Sequence, residues 1–246
     1  MRRFYVSPKT LGGEAVFLEG EVAHRMASVL RMSPGDRAVL FDGSGDDIVI
    51  RLDVVSRGLV SATVLERRRG TAEPQVQITL FQGTLKGDKL EWVLQKGTEV
   101  GVTAFVPRIC ERSVARPEGK TSSGRMARRN KIILEAAEQC GRSRLPTLSS
   151  PVEFREACRE AGASGLGLIP WEEAKDASLR EVLKAQSSRN VSIFIGPEGG
   201  FKEEEVGYAR DQGLMPVSLG RRILRAETAG LVAATAVLYE SGDLEG

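Results

Sequence analysis

Ile193-Phe194-Ile195-Gly196-Pro197-Glu198-Gly199-Gly200-Phe201 runs from an apolar strand into a loop with three glycines and a proline, and a helical pattern follows at 203–212. Glycines at a strand end let the backbone approach a ligand closely. The same residues would also serve a plain strand-to-helix turn. The spacing is neither GxGxxG nor GxxxxGKS/T, so neither a dinucleotide site nor a Walker phosphate loop is supported.

Outward from this stretch, extended and helical signals alternate. Extended patterns fall at 76–81, 104–110, 165–169, 191–195 and 216–219, and helical ones at 86–100, 125–140, 152–161, 177–186, 203–212 and 226–239. Such alternation predicts a mostly parallel sheet covered by helices, with ligands at the carboxyl ends of its strands. Two further loops leave equivalent strand ends. Leu168-Ile169-Pro170-Trp171-Glu172-Glu173 is one; Ser218-Leu219-Gly220-Arg221-Arg222-Ile223-Leu224-Arg225-Ala226-Glu227, with three arginines in five positions before a helix, is the other. If their strands are neighbours, the three loops describe a pocket. The helix at 226–239 carries almost no charge before Glu240, so it is expected to be enclosed by the core or by a subunit contact.

Before residue 70 the pattern changes to short β-rich runs separated by Pro34-Gly35-Asp36 and Asp42-Gly43-Ser44-Gly45, interrupted by one helical stripe at 21–31. A small barrel with one helix fits this series. Arg67-Arg68-Arg69-Gly70-Thr71-Ala72-Glu73-Pro74 breaks the apolar pattern, which places a domain boundary between 1–72 and 73–246.

Composition narrows the function classes. The 246 residues are 41% hydrophobic and 28% charged, an ordinary globular balance. No window approaches the roughly 18 apolar residues of a membrane span, and Met1-Arg2-Arg3-Phe4-Tyr5-Val6 lacks an apolar signal core, so a soluble cytoplasmic protein is expected. Cys110, Cys140 and Cys158 are far apart and His24 is the only histidine, which disfavours a zinc site, disulfides and a Ser-His-Asp hydrolase; no metal is expected. Residues 74–150 hold 13 Lys/Arg against 7 Asp/Glu, whereas 151–246 hold 11 against 16. The basic middle suits a polyanion partner, and solvated helix faces give similar counts.

Arg2-Arg3-Phe4-Tyr5, His24 with Val29-Leu30-Arg31 and Pro34-Gly35-Asp36, and Lys96-Gly97-Thr98-Glu99-Val100-Gly101 resemble the RsmE family, the bacterial 16S ribosomal RNA uridine N3-methyltransferases of the SPOUT class. So do Glu135-Ala136-Ala137-Glu138-Gln139-Cys140-Gly141-Arg142 through Pro146, Ile195 to Phe201, and Leu219 to Ala229. The motifs stand in the family's order and span nearly the whole chain. The resemblance implies an α/β fold: a C-terminal domain tied in a SPOUT trefoil knot, preceded by a small PUA-like β-barrel. It implies S-adenosyl-L-methionine as cofactor, 16S ribosomal RNA or the assembled small subunit as partner, and a homodimer completing the site. The cofactor would lie against Ile169, Pro170 and Trp171, then Gly196, Pro197, Glu198, Gly199 and Gly200, then Leu219, Gly220, Ile223, Leu224 and Arg225.

Methyl transfer to uracil N3 requires alignment and loss of the N3 proton. With no histidine beside the pocket motifs, Glu227 is the candidate to orient or accept that proton; its other reading is a helix-dipole partner. Arg225 is the candidate to stabilise charge on the uracil carbonyl oxygens, with a phosphate contact or intersubunit ion pair as the alternative. RNA contacts are expected from Arg2, Arg3, His24, Arg31, Lys96, Arg112, Arg128, Arg129, Arg142 and Arg144, each of which also reads as surface charge. A related knotted enzyme acting on tRNA or a ribose 2'-hydroxyl, a non-catalytic RNA-binding assembly factor, and a generic doubly wound nucleotide enzyme are the rival classes.

Overall fold

The computed structural model describes residues 1–109, 123–174 and 177–245; Cys110 and Arg112 lie outside the described residues. The chain forms two units, Met1–Glu73 with Ala137–Leu145, and Pro74–Ala136 with Pro146–Gly246.

The first unit contains β1 (Arg2–Tyr5), β2 (Ala15–Glu19), α1 (Gly20–His24), β3 (Arg37–Phe41), β4 (Asp46–Val55) and β5 (Leu59–Arg69). Its sheet runs β1-β3-β4-β5-β2, parallel between β1 and β3 and antiparallel elsewhere. Side chains alternate across a strand, so β2 buries Val16 and Leu18 and turns Ala15, Phe17 and Glu19 outward. The inward set joins Phe4, Met26, Leu40, Ile50 and Val60 in one core. The reading of 21–31 as one helix needs correction. Regular helix ends at His24, a wider π turn spans Arg25–Val29, and Arg31 ends it at φ 50°.

A polar cluster fastens Ala137–Leu145 into this unit, a placement the division at residue 72 does not contain. Arg3 donates to both oxygens of Asp47 at 2.8 and 2.6 Å, and the Ser143 hydroxyl also donates to Asp47. Arg142 donates to Glu73 at 3.0 Å, whose other oxygen accepts the Ser143 and Arg144 amides. Glu138 accepts the Tyr5 amide at 2.9 Å and Arg25 at 2.7 Å.

Burial pushes the Asp47 carboxyl up, but hydrogen bonds from Arg3 and Ser143 and the Arg3 charge outweigh it and hold the pKa below the usual carboxylate range. Because the folded value lies below the unfolded value of about 3.9, Asp47 contributes stability above about pH 4 and loses it as pH falls through the folded value. Urea titrations from pH 3 to 7 are therefore expected to show a shallower acid loss in Asp47→Asn than in the unsubstituted chain. Equal slopes below pH 4 would contradict this account of the cluster.

The second unit contains β6 (Gln77–Gly83), α2 (Lys89–Val100), β7 (Ala104–Ile109), α3 (Ser123–Cys140, whose last turn belongs to the first unit), β8 (Thr147–Leu148), β9 (Val152–Glu153) and α4 (Phe154–Ser164). It continues with β10 (Leu166–Pro170), α5 (Leu179–Ala185), β11 (Asn190–Ile195), α6 (Glu203–Asp211), β12 (Met215–Val217) and α7 (Ala226–Glu240). The sheet runs β12-β10-β11-β6-β7-β8, with β9 also on β7, and every ladder is parallel. Both faces are covered, which is why β11 is buried from Val191 to Ile195 and ends in three consecutive apolar residues, Ile193-Phe194-Ile195. Ile193 and Ile195 face a core that includes Leu94 of α2, Val182 of α5 and Ala233 of α7. Phe194 faces the opposite, aromatic core with Phe81, Phe154 and Phe201.

Two readings shift here. The helix expected at 152–161 begins only at Phe154, after β9, and β8 and β9 are too short to carry a periodicity. α7 is enclosed on one side only: Ala229, Ala233, Ala234 and Val237 are buried, whereas Val232 is 40% and Tyr239 68% exposed. No helix among the described residues is long and apolar enough to cross a membrane.

Candidate functional site

Parallel pairing puts the carboxyl ends of β6, β10, β11 and β12 at one edge. β6 leads to its neighbour β7 on one side, and β11 leads to β12 on the other. The crevice between them is a topological switch point, where open α/β sheets bind ligands.

Three loops converge there. After β11, the Gly200 amide donates to the Pro197 carbonyl at 3.0 Å and Gly200 adopts φ 70°, which favours glycine. The loop lies down on the end of β6, where a Cβ on Gly83 would fall 2.5 Å from the Pro197 nitrogen. After β10, the Trp171 amide donates to the Val217 carbonyl at 3.1 Å, and Glu172 Oε1 would sit 2.8 Å from a Cβ on Gly200. After β12, the chain passes through Gly220 to Arg225, whose extended backbone caps α7 and whose carbonyl accepts the Thr228 and Ala229 amides.

The loops line an open cleft of about 380 Å³, continuous with a recess of about 120 Å³ through shared Pro170, Glu172, Ile223, Leu224 and Ala229. The larger volume falls in the roughly 300–1,000 Å³ range of small-molecule sites. Its walls are largely apolar side chains and bare glycine backbone, and its rim is charged. Lys89, the first residue of α2, places its ammonium 3.2 Å from Glu198 Oε1 and 3.5 Å from Glu227 Oε1. Burial raises the Glu198 carboxyl, but the Lys86 amide and Lys89 outweigh it and leave its pKa below the ordinary value. The Glu227 side chain is 14% exposed, and its Oε2 is buried with no hydrogen-bond partner among the described residues. The exposed Arg225 guanidinium stands at the amino end of α7, where the helix dipole also favours negative charge. Chemically, the arrangement can hold a flat, partly apolar ligand on backbone, take a proton donor at Glu227 and steady a developing anion at Arg225. No cluster of three metal-ligating side chains occurs among the described residues.

Pro170, Trp171, Gly196, Pro197, Glu198, Gly200, Leu219, Gly220, Ile223, Leu224, Arg225 and Glu227 thus share one cleft and its recess. Ile169 and Gly199 do not line it: Ile169 is fully buried in the aromatic core, and Gly199 is exposed on its loop. Sequence reasoning missed Lys89, Glu172 and Gly83. A glycine closing a strand is itself a sign of close backbone approach, and it was the one available signal for Gly83.

The expected RNA contacts divide. Arg2, His24, Arg31 and Arg144 are exposed on the first unit. Arg3 and Arg142 need correction, because their side chains are only 11% and 3% exposed and are committed to Asp47 and Glu73. On the second unit Arg128 is 63% exposed and pairs with Glu91 at 2.6 Å, while Lys96 pairs with Glu99. Arg129 is half-buried, and desolvation, then the nearby Arg125 charge, lowers its pKa. Arg112 lies outside the described residues.

A family model described as RNA methyltransferase domain matches residues 72–238. The chain is similar to the ribosomal RNA small subunit methyltransferase E of Bacillus subtilis, at 33% identity over 93% of this chain and 91% of that protein. It is similar to the protein of the same name from Synechocystis, at 34% identity over 94% and 75%. Its structure is similar to the crystal structure of a ribosomal RNA small subunit methyltransferase E from Neisseria gonorrhoeae bound to S-adenosyl methionine, with TM-score 0.86, 34% identity and 96% of each chain covered.

Proposed function

This chain belongs to the RNA methyltransferase family, beside the ribosomal RNA small subunit methyltransferases E, and from that premise we propose that it methylates N3 of a specific uridine in 16S ribosomal RNA with S-adenosylmethionine as donor. The observation that carries this reading is the convergence of the 170–172, 196–200 and 219–225 loops on one cleft at the switch point of the sheet. The residues fit the donor. Bare backbone at Gly196 and Gly200 forms a cradle in which a Cβ on Gly196 would press to 3.2 Å from Gly200, and Pro170, Leu224 and Ala229 give it apolar walls.

When bound, S-adenosylmethionine supplies an electrophilic methyl group on a positively charged sulfur. The chain must align the base and take its N3 proton. Lys89 engages Oε1 of Glu227 and leaves Oε2 without a hydrogen-bond partner among the described residues, so that a turn of the carboxylate that brings Oε2 to the cleft lets it accept the N3–H. Arg225 and the amino end of α7 stabilise charge building on the uracil carbonyl oxygens.

The reading extends to a PUA-like barrel at 1–72, a trefoil knot in 73–246, a homodimer and a cytoplasmic location. In support of the knot, β12 is an edge strand, yet α7, which follows it, packs back on central β11 and β6. In support of the dimer, the outward side of α7 presents Val232, Thr235 and Tyr239 without charge.

For RNA, Arg2, His24, Arg31, Arg144 and Arg128 remain the proposed contacts, on the 16S RNA or the assembled small subunit. Each phosphate of single-stranded RNA that a side chain neutralises adds roughly 0.7 to the salt slope of binding. Arg2→Gln is expected to flatten the slope by that amount. Arg142→Ala is expected to leave the slope unchanged while lowering stability by roughly 3 kcal/mol, as removal of one partner of a buried pair does. An unchanged slope in Arg2→Gln would remove Arg2 from the footprint.

The reading is tested by mapping modified nucleobases in small-subunit RNA from cells with and without the protein. N3-methyluridine present only with the protein is expected. A methyl group gained instead on tRNA or on a ribose 2'-hydroxyl would overturn the assignment, as would no difference at all.

A further inference from the structure

Arg108 is fully buried and is the largest side chain to be so among the described residues. It stands near the carboxyl end of β7, opposite Gly83 of β6 in register. Its guanidinium donates to the Ile195 carbonyl of β11, two strands away, at 2.9 Å. The same group lies 4.9 Å from the ring centres of Phe154 and Phe194 and 5.3 Å from that of Phe201.

These contacts bracket the glycine loop. Ile195 precedes Gly196, and Phe201 follows Gly200, so one rigid, planar cation touches the chain on both sides of the segment that lines the cleft. The backbone of Arg108 adds a third attachment, because its carbonyl accepts both the amide and the hydroxyl of Thr84. Thr84 begins the turn that leads to Lys86 and Lys89.

Stability alone does not account for such a group. Replacing a buried ionic side chain by an apolar one of similar volume is often neutral or stabilising, because desolvating a cation is expensive. Ring contacts with a desolvated cation offset that expense only in part. What an apolar side chain of the same length cannot do is donate to the Ile195 carbonyl. We propose that Arg108 is a positioning residue that fixes the 196–200 loop from both ends and so sets its affinity for the methyl donor. This rests on the S-adenosylmethionine reading of the cleft.

The test compares Arg108→Met and Arg108→Lys with the unsubstituted chain. Calorimetry gives the dissociation constant for S-adenosylmethionine, and amide hydrogen exchange is followed without the donor. Arg108→Met is expected to stay folded, to exchange faster at 196–201 with the rest of the sheet unchanged, and to bind the donor about tenfold more weakly, as small misplacements of positioning groups do. A folded Arg108→Met with unchanged affinity and unchanged loop exchange would overturn the proposal. If Arg108→Met does not fold, Arg108→Lys decides: it keeps the charge but loses the planar fork. Faster exchange confined to the loop with weaker binding supports the role; unchanged affinity, or faster exchange throughout the sheet, overturns it. If the unsubstituted chain itself binds no S-adenosylmethionine, the cofactor reading fails, whereas loop exchange in the variants still reports on Arg108.

Discussion

Gly83→Ala is expected to weaken S-adenosylmethionine binding by at least about thirtyfold and to lower stability by about 1–3 kcal/mol, the range for overfilling a packed site. The added methyl carbon would fall 2.5 Å from the Pro197 nitrogen and 2.7 Å from the Gly196 carbonyl carbon. Both neighbours are backbone, so no flexible side chain can swing away; either the glycine loop lifts or the end of β6 shifts. Each displacement reaches the cleft, because Gly196 and Pro197 line it. Gly207→Ala is the matching control. Gly207 sits in α6, and a Cβ there would meet nothing within 4 Å, so a gain of about 0.5–1 kcal/mol from helix propensity is expected with no change in binding. Calorimetric titration and urea unfolding of both variants check the pair. Unimpaired donor binding by Gly83→Ala would mean that the loop does not hold the donor.

Arg225→Ala is expected to lower kcat by roughly 100- to 1,000-fold, the effect of removing one group that stabilises developing negative charge, and to leave the S-adenosylmethionine dissociation constant nearly unchanged. Two features support this. Arg225 lines the cleft yet is an exposed residue, free to face a base entering from solvent, and it stands where the first free amides of α7 already favour an anion. A group acting only as charge builds on the base lowers turnover without lowering ground-state affinity. Single-turnover rates with 16S RNA, beside calorimetry for the donor, separate the two. Equal losses in rate and donor affinity would make Arg225 a binding residue.

The second unit was legible because its strands are buried on both faces. Ile193-Phe194-Ile195 needs no alternation to be recognised, and the glycines behind it mark the ligand edge. The convergence of three loops followed once parallel order was assumed. What was not legible depends on contacts distant in sequence. Arg3 and Arg142 look like any surface arginine in the sequence; only the fold brings Asp47 and Glu73 to them. Lys89 reads as a helix-start charge until the sheet places Glu198 and Glu227 beside it. Arg108, inside an apolar strand, gave no sign of the aromatic rings that enclose it, because these come from α4, β11 and the end of the loop that precedes α6. The π turn after His24 likewise left no trace in the helical stripe at 21–31.

A crystal structure of the chain with S-adenosylmethionine settles where the donor sits. The expected result is a donor held by all three loops, at 170–172, 196–200 and 219–225, with its methyl group open toward Glu227 and Arg225. A donor bound away from these loops, for example in the cavity between Gln75, Arg189 and Glu240, would contradict the site and the chemistry built on it.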